Sequence, residues 1–155
     1  VIAALEAAPP YDGLTDDNIL PFLAFIEELD HAVHAALKFQ EGRADIHEES
    51  FVRDLELQAK VDSYLILARF GAPEGDEARL AAGDRRWIKA CLFDAQRFAY
   101  QEARLQNRYR ETNRLARRYV RHLDTLPPRR RTAEIRRFRR LSYDRKRRRI
   151  AALGR

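Results

Sequence analysis

The sequence is poor in the residues that cross-link a chain or interrupt its regular structure. Among 155 residues there are one cysteine, six glycines and six prolines. Cys91 has no second cysteine to pair with, so a disulfide scaffold is excluded and a reducing compartment is favoured. We therefore expect an intracellular location, in the cytoplasm or an organelle matrix, with a virion as the alternative.

Long apolar runs are absent as well. No run approaches the roughly 18 apolar residues that a membrane-spanning helix needs. The first ten residues, VIAALEAAPP, lack the basic leader of a signal peptide. With 45% hydrophobic and 35% charged residues, the chain is predicted to fold, to carry a heavily charged surface and to have no membrane span.

Signatures of catalysis are missing from the sequence. It has no glycine-rich phosphate loop, no nucleophile elbow and no paired-cysteine motif. Cys91 lies between Ala90 and Leu92 in a helical pattern, which is typical of a small core residue rather than a nucleophile. We expect neither enzymatic activity nor a cofactor.

A histidine-containing segment, EELDHAVH, has a spacing that suggests a metal. Glu28 and His31 match the E-x-x-H half of a di-iron carboxylate site. A complete site needs a second such pair, and none of the other histidines follows a glutamate by three residues; these are His34, His47 and His122. The segment is therefore predicted to hold no metal and to form a solvent-facing polar stripe. That stripe consists of Glu27, His31, His34 and Lys38.

Apolar residues at helical spacing predict a helical hairpin in the first half of the chain. The first helix is expected to begin at Thr15 or Asn18 and to run to about residue 40. Its apolar stripe comprises Ile19, Phe22, Leu23, Ile26, Leu29, Val33, Ala36 and Leu37. The second helix is expected to run from a capping box near Asp45 to Phe70, where Gly71 ends it.

The second half is predicted to contain one long helix and a short one. Apolar residues spaced by three or four extend from about Asp84 to Leu126, where the sequence LPP ends the pattern. A short basic helix follows from about Thr132. It carries a narrow apolar stripe that is expected to dock on protein, formed by Ile135, Phe138 and Leu141. No segment has a strand pattern, so the predicted fold is all-α, and the long helix makes it extended rather than compact.

Charge divides the chain into two unlike halves. Residues 1–75 carry 5 basic and 15 acidic side chains, a net of −10, whereas residues 76–155 carry 25 and 9, a net of +16; together they give the total of +6. The first half is thus an acidic hairpin, which we expect to contact other protein subunits. The second half comprises the long helix in residues 76–126 and an arginine-rich nucleic-acid-binding extension in residues 127–155.

Arginine dominates the basic half. Of the 30 basic residues in the chain, 26 are arginine, whose planar fork binds phosphate bidentately and stacks on bases. A GC-rich genome would produce the same bias without any function. From Arg104 to Arg155 there are 20 basic and 4 acidic residues, and a bound anion would offset the self-repulsion of such a segment.

The candidate nucleic-acid contacts fall into two groups. The predicted phosphate contacts are Arg104, Arg108, Arg110, Arg114, Arg117, Arg118, Arg121, Arg129, Arg130, Arg131, Arg136, Arg137, Arg139, Arg140, Arg145, Lys146, Arg147, Arg148 and Arg149. Four interleaved aromatic residues are candidates for stacking on unpaired bases, or for fastening the helices to a neighbour. They are Tyr109, Tyr119, Phe138 and Tyr143.

These observations predict a non-enzymatic structural subunit of a large nucleoprotein assembly, ribosomal or of another ribonucleoprotein type. It would bind RNA or DNA through phosphate contacts, which do not distinguish the two. One alternative is a phage or plasmid DNA-handling or packaging subunit that oligomerises through the long helix. Another is a helical scaffold subunit whose basic end meets an acidic protein or an anionic lipid.

Overall fold

The computed structural model describes residues 1–42, 48–94 and 103–153, and within these ranges the protein consists of helices and turns without a strand. The all-α prediction is confirmed. The α-helices in these ranges are α1 (Ile2–Ala7), α2 (Ile19–Gln40), α3 (Glu49–Phe70), α4 (Ala82–Phe93), α5 (Ala103–Thr125), α6 (Pro128–Arg139) and α7 (Tyr143–Ala152). Not one of these described helices combines the length and the apolar character needed to cross a bilayer.

The helices α2 and α3 form the predicted hairpin. Asn18 precedes α2 and organises the turn there, because its side-chain oxygen accepts a hydrogen bond from the backbone N–H of Thr15 at 2.9 Å. The helix α3 ends at Phe70 and Gly71 follows it, as predicted. The capping box predicted near Asp45 lies largely outside the described residues.

The central helix of the fold is α3. It contacts α2, α4, α5 and α7, and its side chains Leu57, Val61, Tyr64 and Leu67 are almost fully buried. The neighbouring helices cover them with Phe22, Leu23, Ile26, Ile88, Leu92, Ala116, Val120, Leu123 and Ile150. Burying a large aliphatic or aromatic side chain contributes about 1.5–3 kcal/mol. This shared core therefore joins the acidic half of the chain to the basic half.

The predicted long helix over residues 84–126 is wrong. The helix α4 ends at Phe93, and its carbonyl accepts a hydrogen bond from the Asn113 side chain at 2.8 Å. Lys89 and Asp124, 35 residues apart, lie 3.0 Å from each other, whereas one straight helix would separate them by ~50 Å. The chain thus reverses direction between α4 and α5, which are antiparallel neighbours. The prediction of an extended shape rested on that single long helix, which the structure does not contain.

The C-terminal segment forms two helices rather than the one predicted. The helix α6 begins at Pro128, where a proline in the first turn has no hydrogen bond to lose, and Thr132 lies inside it rather than at its start. After a break at Ser142, α7 forms a second basic helix. Phe138 and Ile150 are almost fully buried in the core. The predicted docking stripe is therefore part of the core of the protein.

The polar stripe of α2 that was predicted to face solvent lies against the rest of the protein. His34 is buried, and its Nε2 lies 3.6 Å from a carboxylate oxygen of Asp54 on α3. Glu27 forms an ion pair with Lys60, also on α3. The predicted solvent-facing stripe is therefore wrong, because acids and bases of α3 attract it inward. The apolar residues on the other side of this half of α2 remain exposed.

Candidate functional site

Six of the basic residues predicted to bind phosphate form ion pairs with acids of the same chain. The pairs are Arg117–Asp94, Arg131–Glu77, Arg139–Asp62, Lys146–Asp54, Arg147–Glu111 and Arg149–Glu134. Two of the acids, Asp54 and Asp62, belong to α3 in the acidic half. Part of the charge asymmetry between the two halves is thus neutralised by packing one against the other.

Lys146 is the most deeply buried of these cations. Its side chain is 0% exposed, and its Nζ lies 2.7 Å from Asp54 and donates a hydrogen bond of 2.9 Å to Gln58. Burial lowers the pKa of Lys146 below its ordinary value, and the charge of Asp54 offsets this only in part. Burial raises the pKa of Asp54, but the neighbouring His34 side chain and the charge of Lys146 outweigh it and leave that pKa low. The prediction that Lys146 binds phosphate is therefore wrong, because no anion can reach it.

Arg149 and Arg131 are also held by acids of the protein. Arg149 binds both carboxylate oxygens of Glu134, and this hydrogen bonding holds the pKa of Glu134 below its ordinary value. Arg131 is 2.8 Å from Glu77 and 3.5 Å from Asp124. These two arginines join α6 to α7 and to the segment before α4, so their role in this structure is to hold helices together.

Three of the four aromatic residues proposed to stack on bases are buried. Tyr119 and Phe138 are 0% and 1% exposed, and their rings stack on each other with centroids 3.8 Å apart. Tyr143 is also buried. The base-stacking assignment is corrected for these three, because their ring faces are covered by protein; the alternative, that they fasten helices together, describes them. Tyr109 is half-buried, and the Arg108 guanidinium lies 5.5 Å from its ring centroid.

Eleven of the predicted arginines are exposed and have no acidic partner within the described part of the chain. These residues, called the outer arginines below, are Arg110, Arg114, Arg118 and Arg121 on α5, Arg129, Arg130, Arg136, Arg137 and Arg140 on or next to α6, and Arg145 and Arg148 on α7. Arg118 donates a hydrogen bond to the carbonyl of Ala151 at 3.1 Å. The side chain of Arg104 lies outside the described residues.

Four basic residues surround a groove between α5 and α7. The groove has a volume of about 540 Å³, and its basic residues are Arg114, Arg118, Arg147 and Arg148. Leu115 and Ile150 contribute apolar surface, and Glu111 and Asp144 contribute two acids. Glu111 is already paired with Arg147 at 3.2 Å and with Arg53 at 2.7 Å. The cations left available here suit phosphate groups, to which arginine donates two parallel hydrogen bonds.

Cys91 and the histidines of α2 do not form a catalytic or metal-binding arrangement in the described residues. Burial raises the pKa of the Cys91 thiol, which keeps it protonated and weakly nucleophilic. Cys91 packs against the core, as predicted. The residues that the structure describes contain no cluster of three or more histidine, cysteine, aspartate or glutamate side chains arranged to hold a metal ion.

Sequence reasoning missed the buried acids that select which cations remain free. Asp62 is 3% exposed and binds Arg139 at 2.7 Å. Asp30 lies beside it, and burial together with the charge of Asp62 raises the pKa of Asp30 to about 7. A weak signal was present in the sequence: Asp54, Gln58 and Asp62, spaced by four, place a row of polar residues along one side of α3, and all three are buried.

The outer arginines and the groove between α5 and α7 are the features of this fold that suit a ligand. They form a cationic surface on three consecutive helices whose other sides are packed on α3 or on each other. No protein-family model matches the chain, and neither a curated protein nor a solved structure matches it.

Proposed function

We propose that the protein binds the phosphate backbone of RNA or DNA through its outer arginines, as a non-enzymatic structural subunit of a nucleoprotein assembly. The observation that carries this proposal is the set of outer arginines on α5, on or next to α6 and on α7: eleven exposed side chains that have no acidic partner among the described residues. Ion pairs within the chain engage six other cations of this half, Arg117, Arg131, Arg139, Lys146, Arg147 and Arg149, but none of the outer arginines among the described residues. A polyanion would relieve the repulsion among them.

The groove between α5 and α7 is the centre of the proposed contact. Arg114 and Arg118 are one helical turn apart on α5, about 6 Å along the axis, and Arg148 faces them from α7. Such a row can follow successive phosphates without reading the bases, so the proposal covers both RNA and DNA. Among nucleoprotein assemblies, a ribosomal or other ribonucleoprotein particle fits best, because a structural subunit can bind there through phosphate contacts without a sequence-specific motif.

The alternative of a DNA-packaging subunit that oligomerises through a long helix has lost the element on which it rested. The helices α4 and α5 pack against each other and against α3, so their apolar residues are already covered within one copy. The scaffold alternative keeps its support, because the second half of α2 exposes an apolar surface.

The proposal is tested by the salt dependence of nucleic-acid binding. Binding of the full chain to single-stranded RNA and to duplex DNA is measured by fluorescence anisotropy over a salt series. The test variant combines Arg114→Gln, Arg118→Gln and Arg148→Gln. If all three residues contact phosphate, the slope of log affinity against log salt falls by about 0.7–0.9 per lost contact, or about 2–3 in total.

A matched control removes the same charge elsewhere. It combines Arg69→Gln, Arg79→Gln and Arg86→Gln, three exposed arginines outside α5–α7, and its slope is expected to stay close to that of the unmodified protein. Point substitutions are preferable to deleting residues 127–155, because that deletion removes Phe138 and Ile150 from the core. Failure to bind either nucleic acid at about 50 mM salt, or equal slopes for the two triple variants, would overturn the proposal.

A further inference from the structure

The exposed side of α2 carries an apolar ridge along most of its length. Four residues at successive spacings of four, Phe25, Leu29, Val33 and Leu37, are 45%, 53%, 49% and 52% exposed. These four are called the α2 ridge below. Residues spaced by four lie along one ridge of a helix, which is the element that interlocks with the groove of another helix.

The outward direction of the α2 ridge is imposed by buried charges. His34 and Lys38, on the opposite side of α2, have side chains only 11% and 13% exposed. His34 lies against Asp54, and Glu27 pairs with Lys60. Turning the ridge inward would break these contacts and leave charged groups of α3 unpaired in the interior, which is strongly unfavourable. The ridge is thus held in solvent, and a partner that covers it would bury apolar surface.

The ridge borders a groove whose other wall is cationic. This groove, between α2 and α6, has a volume of about 380 Å³. The α6 side contributes Arg136, Arg139 and Arg140, and the α2 side contributes the apolar Val33 and Leu37 together with Asp30, His34, Lys38 and Glu41; Asp62 of α3 completes the lining. Two of its three acids are paired: Asp62 with Arg139 at 2.7 Å, and Glu41 with Lys38 at 2.8 Å. The third, Asp30, has its pKa raised to about 7 by burial and by the charge of Asp62, which reduces its negative charge at neutral pH. Arg136 and Arg140 are left without an acid in the described residues, one turn apart on α6.

We infer that this groove docks an amphipathic helix of a partner protein, with apolar residues against the α2 ridge and aspartate or glutamate along the edge that faces α6. The inference goes beyond nucleic-acid binding, because it adds a protein partner in a groove that shares no lining residue with the one between α5 and α7. It assigns Arg136 and Arg140, two of the outer arginines, to this partner and leaves the other nine to the nucleic acid. Charge complementarity selects this occupant. Burial of the ridge supplies the attraction, and the acidic edge pairs with Arg136 and Arg140.

Other occupants fit this surface less well. A second copy of the chain carries the same unpaired arginines beside its own ridge and a net charge of +6, so it would bring like charges together. Nucleic acid would pair with the arginines but leave the aliphatic residues Val33 and Leu37 uncovered. A membrane is a broad surface, whereas Val33 and Leu37 line the wall of a groove.

The test uses two synthetic helical peptides and the full chain. Both peptides carry leucine at alternating spacings of three and four; one has glutamate along one edge and the other has lysine there. Fluorescence anisotropy is expected to show the glutamate peptide binding about tenfold or more tightly than the lysine peptide. The double variant Val33→Ser with Leu37→Ser weakens binding of the glutamate peptide about tenfold or more. Leu20→Ser, which also removes an exposed leucine from α2 but away from the groove, leaves it unchanged.

A charge-reversed variant tests the cationic wall without altering the ridge. Arg136→Glu with Arg140→Glu is expected to reverse the preference, so that the lysine peptide binds more tightly than the glutamate peptide. Equal binding of the two peptides to all variants would overturn the inference. Dimerisation in sedimentation velocity that Val33→Ser with Leu37→Ser abolished would also overturn it, because the occupant would then be a second copy. Flotation with phosphatidylserine-containing vesicles that the same variant abolished would overturn it too, because the occupant would then be a membrane.

Discussion

Two groups of basic residues in the second half of the chain lie in the same stretch of sequence but in opposite environments. Lys146 and Arg149 are held by Asp54 and Glu134, whereas Arg145 and Arg148, their neighbours on α7, point into solvent. Local charge density does not distinguish the two groups. The distinction depends on which side of α7 meets α3 and α6, so a count of arginines overestimates the surface available to an anion.

A similar contrast separates the two halves of α2. In the first half the apolar residues Ile19, Phe22 and Ile26 are buried, and in the second half the polar residue His34 takes the inward position. The cause is the changing surface of α3, which presents Tyr64 and Leu67 near one end and Asp54, Gln58 and Lys60 toward the other. A single helix can therefore present apolar residues to the core in one part and polar residues in the next.

The largest expected effect concerns a residue of the basic segment that belongs to the core. Phe138→Ala removes a fully buried ring stacked on Tyr119 and is expected to lower the free energy of unfolding by about 3–5 kcal/mol. Urea denaturation followed by circular dichroism measures this change. An effect below about 1 kcal/mol would mean that Phe138 is available to a ligand after all, and would reopen the base-stacking assignment.

Next comes the buried pair of α3 and α7. Asp54→Asn keeps the shape of the side chain but removes the charge opposite Lys146, and leaves a buried ammonium group without its counter-ion. The expected loss of stability is about 3 kcal/mol. The control is Asp144→Asn, an exposed acid on α7, whose substitution changes the free energy of unfolding by no more than about 0.5 kcal/mol. An equal loss of stability for the two variants would contradict the contrast between the buried Asp54, paired with Lys146, and the exposed Asp144.

Asp30 provides a pH-dependent test of the same interior. Its pKa is raised from 3.8 to about 7, by burial first and then by the charge of Asp62. Because the folded state binds this proton more tightly than the unfolded state, the stability that Asp30 contributes is complete below pH 3.8 and is lost as the pH rises toward about 7. Asp30→Asn should flatten the decline of stability over this window. Identical pH profiles of the variant and the unmodified protein would show that Asp30 is solvated.

The smallest expected effect on stability belongs to an outer arginine. Arg145→Gln changes the free energy of unfolding by no more than about 0.5 kcal/mol, because the side chain is exposed and unpaired in the described structure. Arg149→Gln, four residues further along α7, breaks the pair with Glu134 and is expected to destabilise the protein measurably. Urea denaturation of both variants under the same conditions measures the two free energies of unfolding. A larger loss for Arg149→Gln than for Arg145→Gln is expected, because only Arg149 is paired with an acid among the described residues.

Much of the secondary structure follows from the sequence, and the arrangement of the helices does not. The start of α2 after Asn18 and the end of α3 before Gly71 were predicted at the right positions. The Asn18 side chain does not cap the helix as expected, because it bonds to the backbone of Thr15 and Gly13 instead. The reversal between α4 and α5 was not predictable, since a spacing of three and four is the same in one long helix and in two antiparallel ones. Only a contact such as Lys89 with Asp124 separates these two cases.

The candidate site, too, was predictable from the sequence only in part. The sequence by itself determined that the chain is helical, that its second half is strongly basic and that arginine supplies most of that charge. The tertiary structure alone decided which cations are free, because Lys146 meets Asp54 across 92 residues and Arg139 meets Asp62 across 77. It also decided which side of α2 faces solvent. The physical reason is that helical periodicity and net charge are sums over neighbouring residues, whereas burial and ion pairing depend on partners that only folding brings within reach.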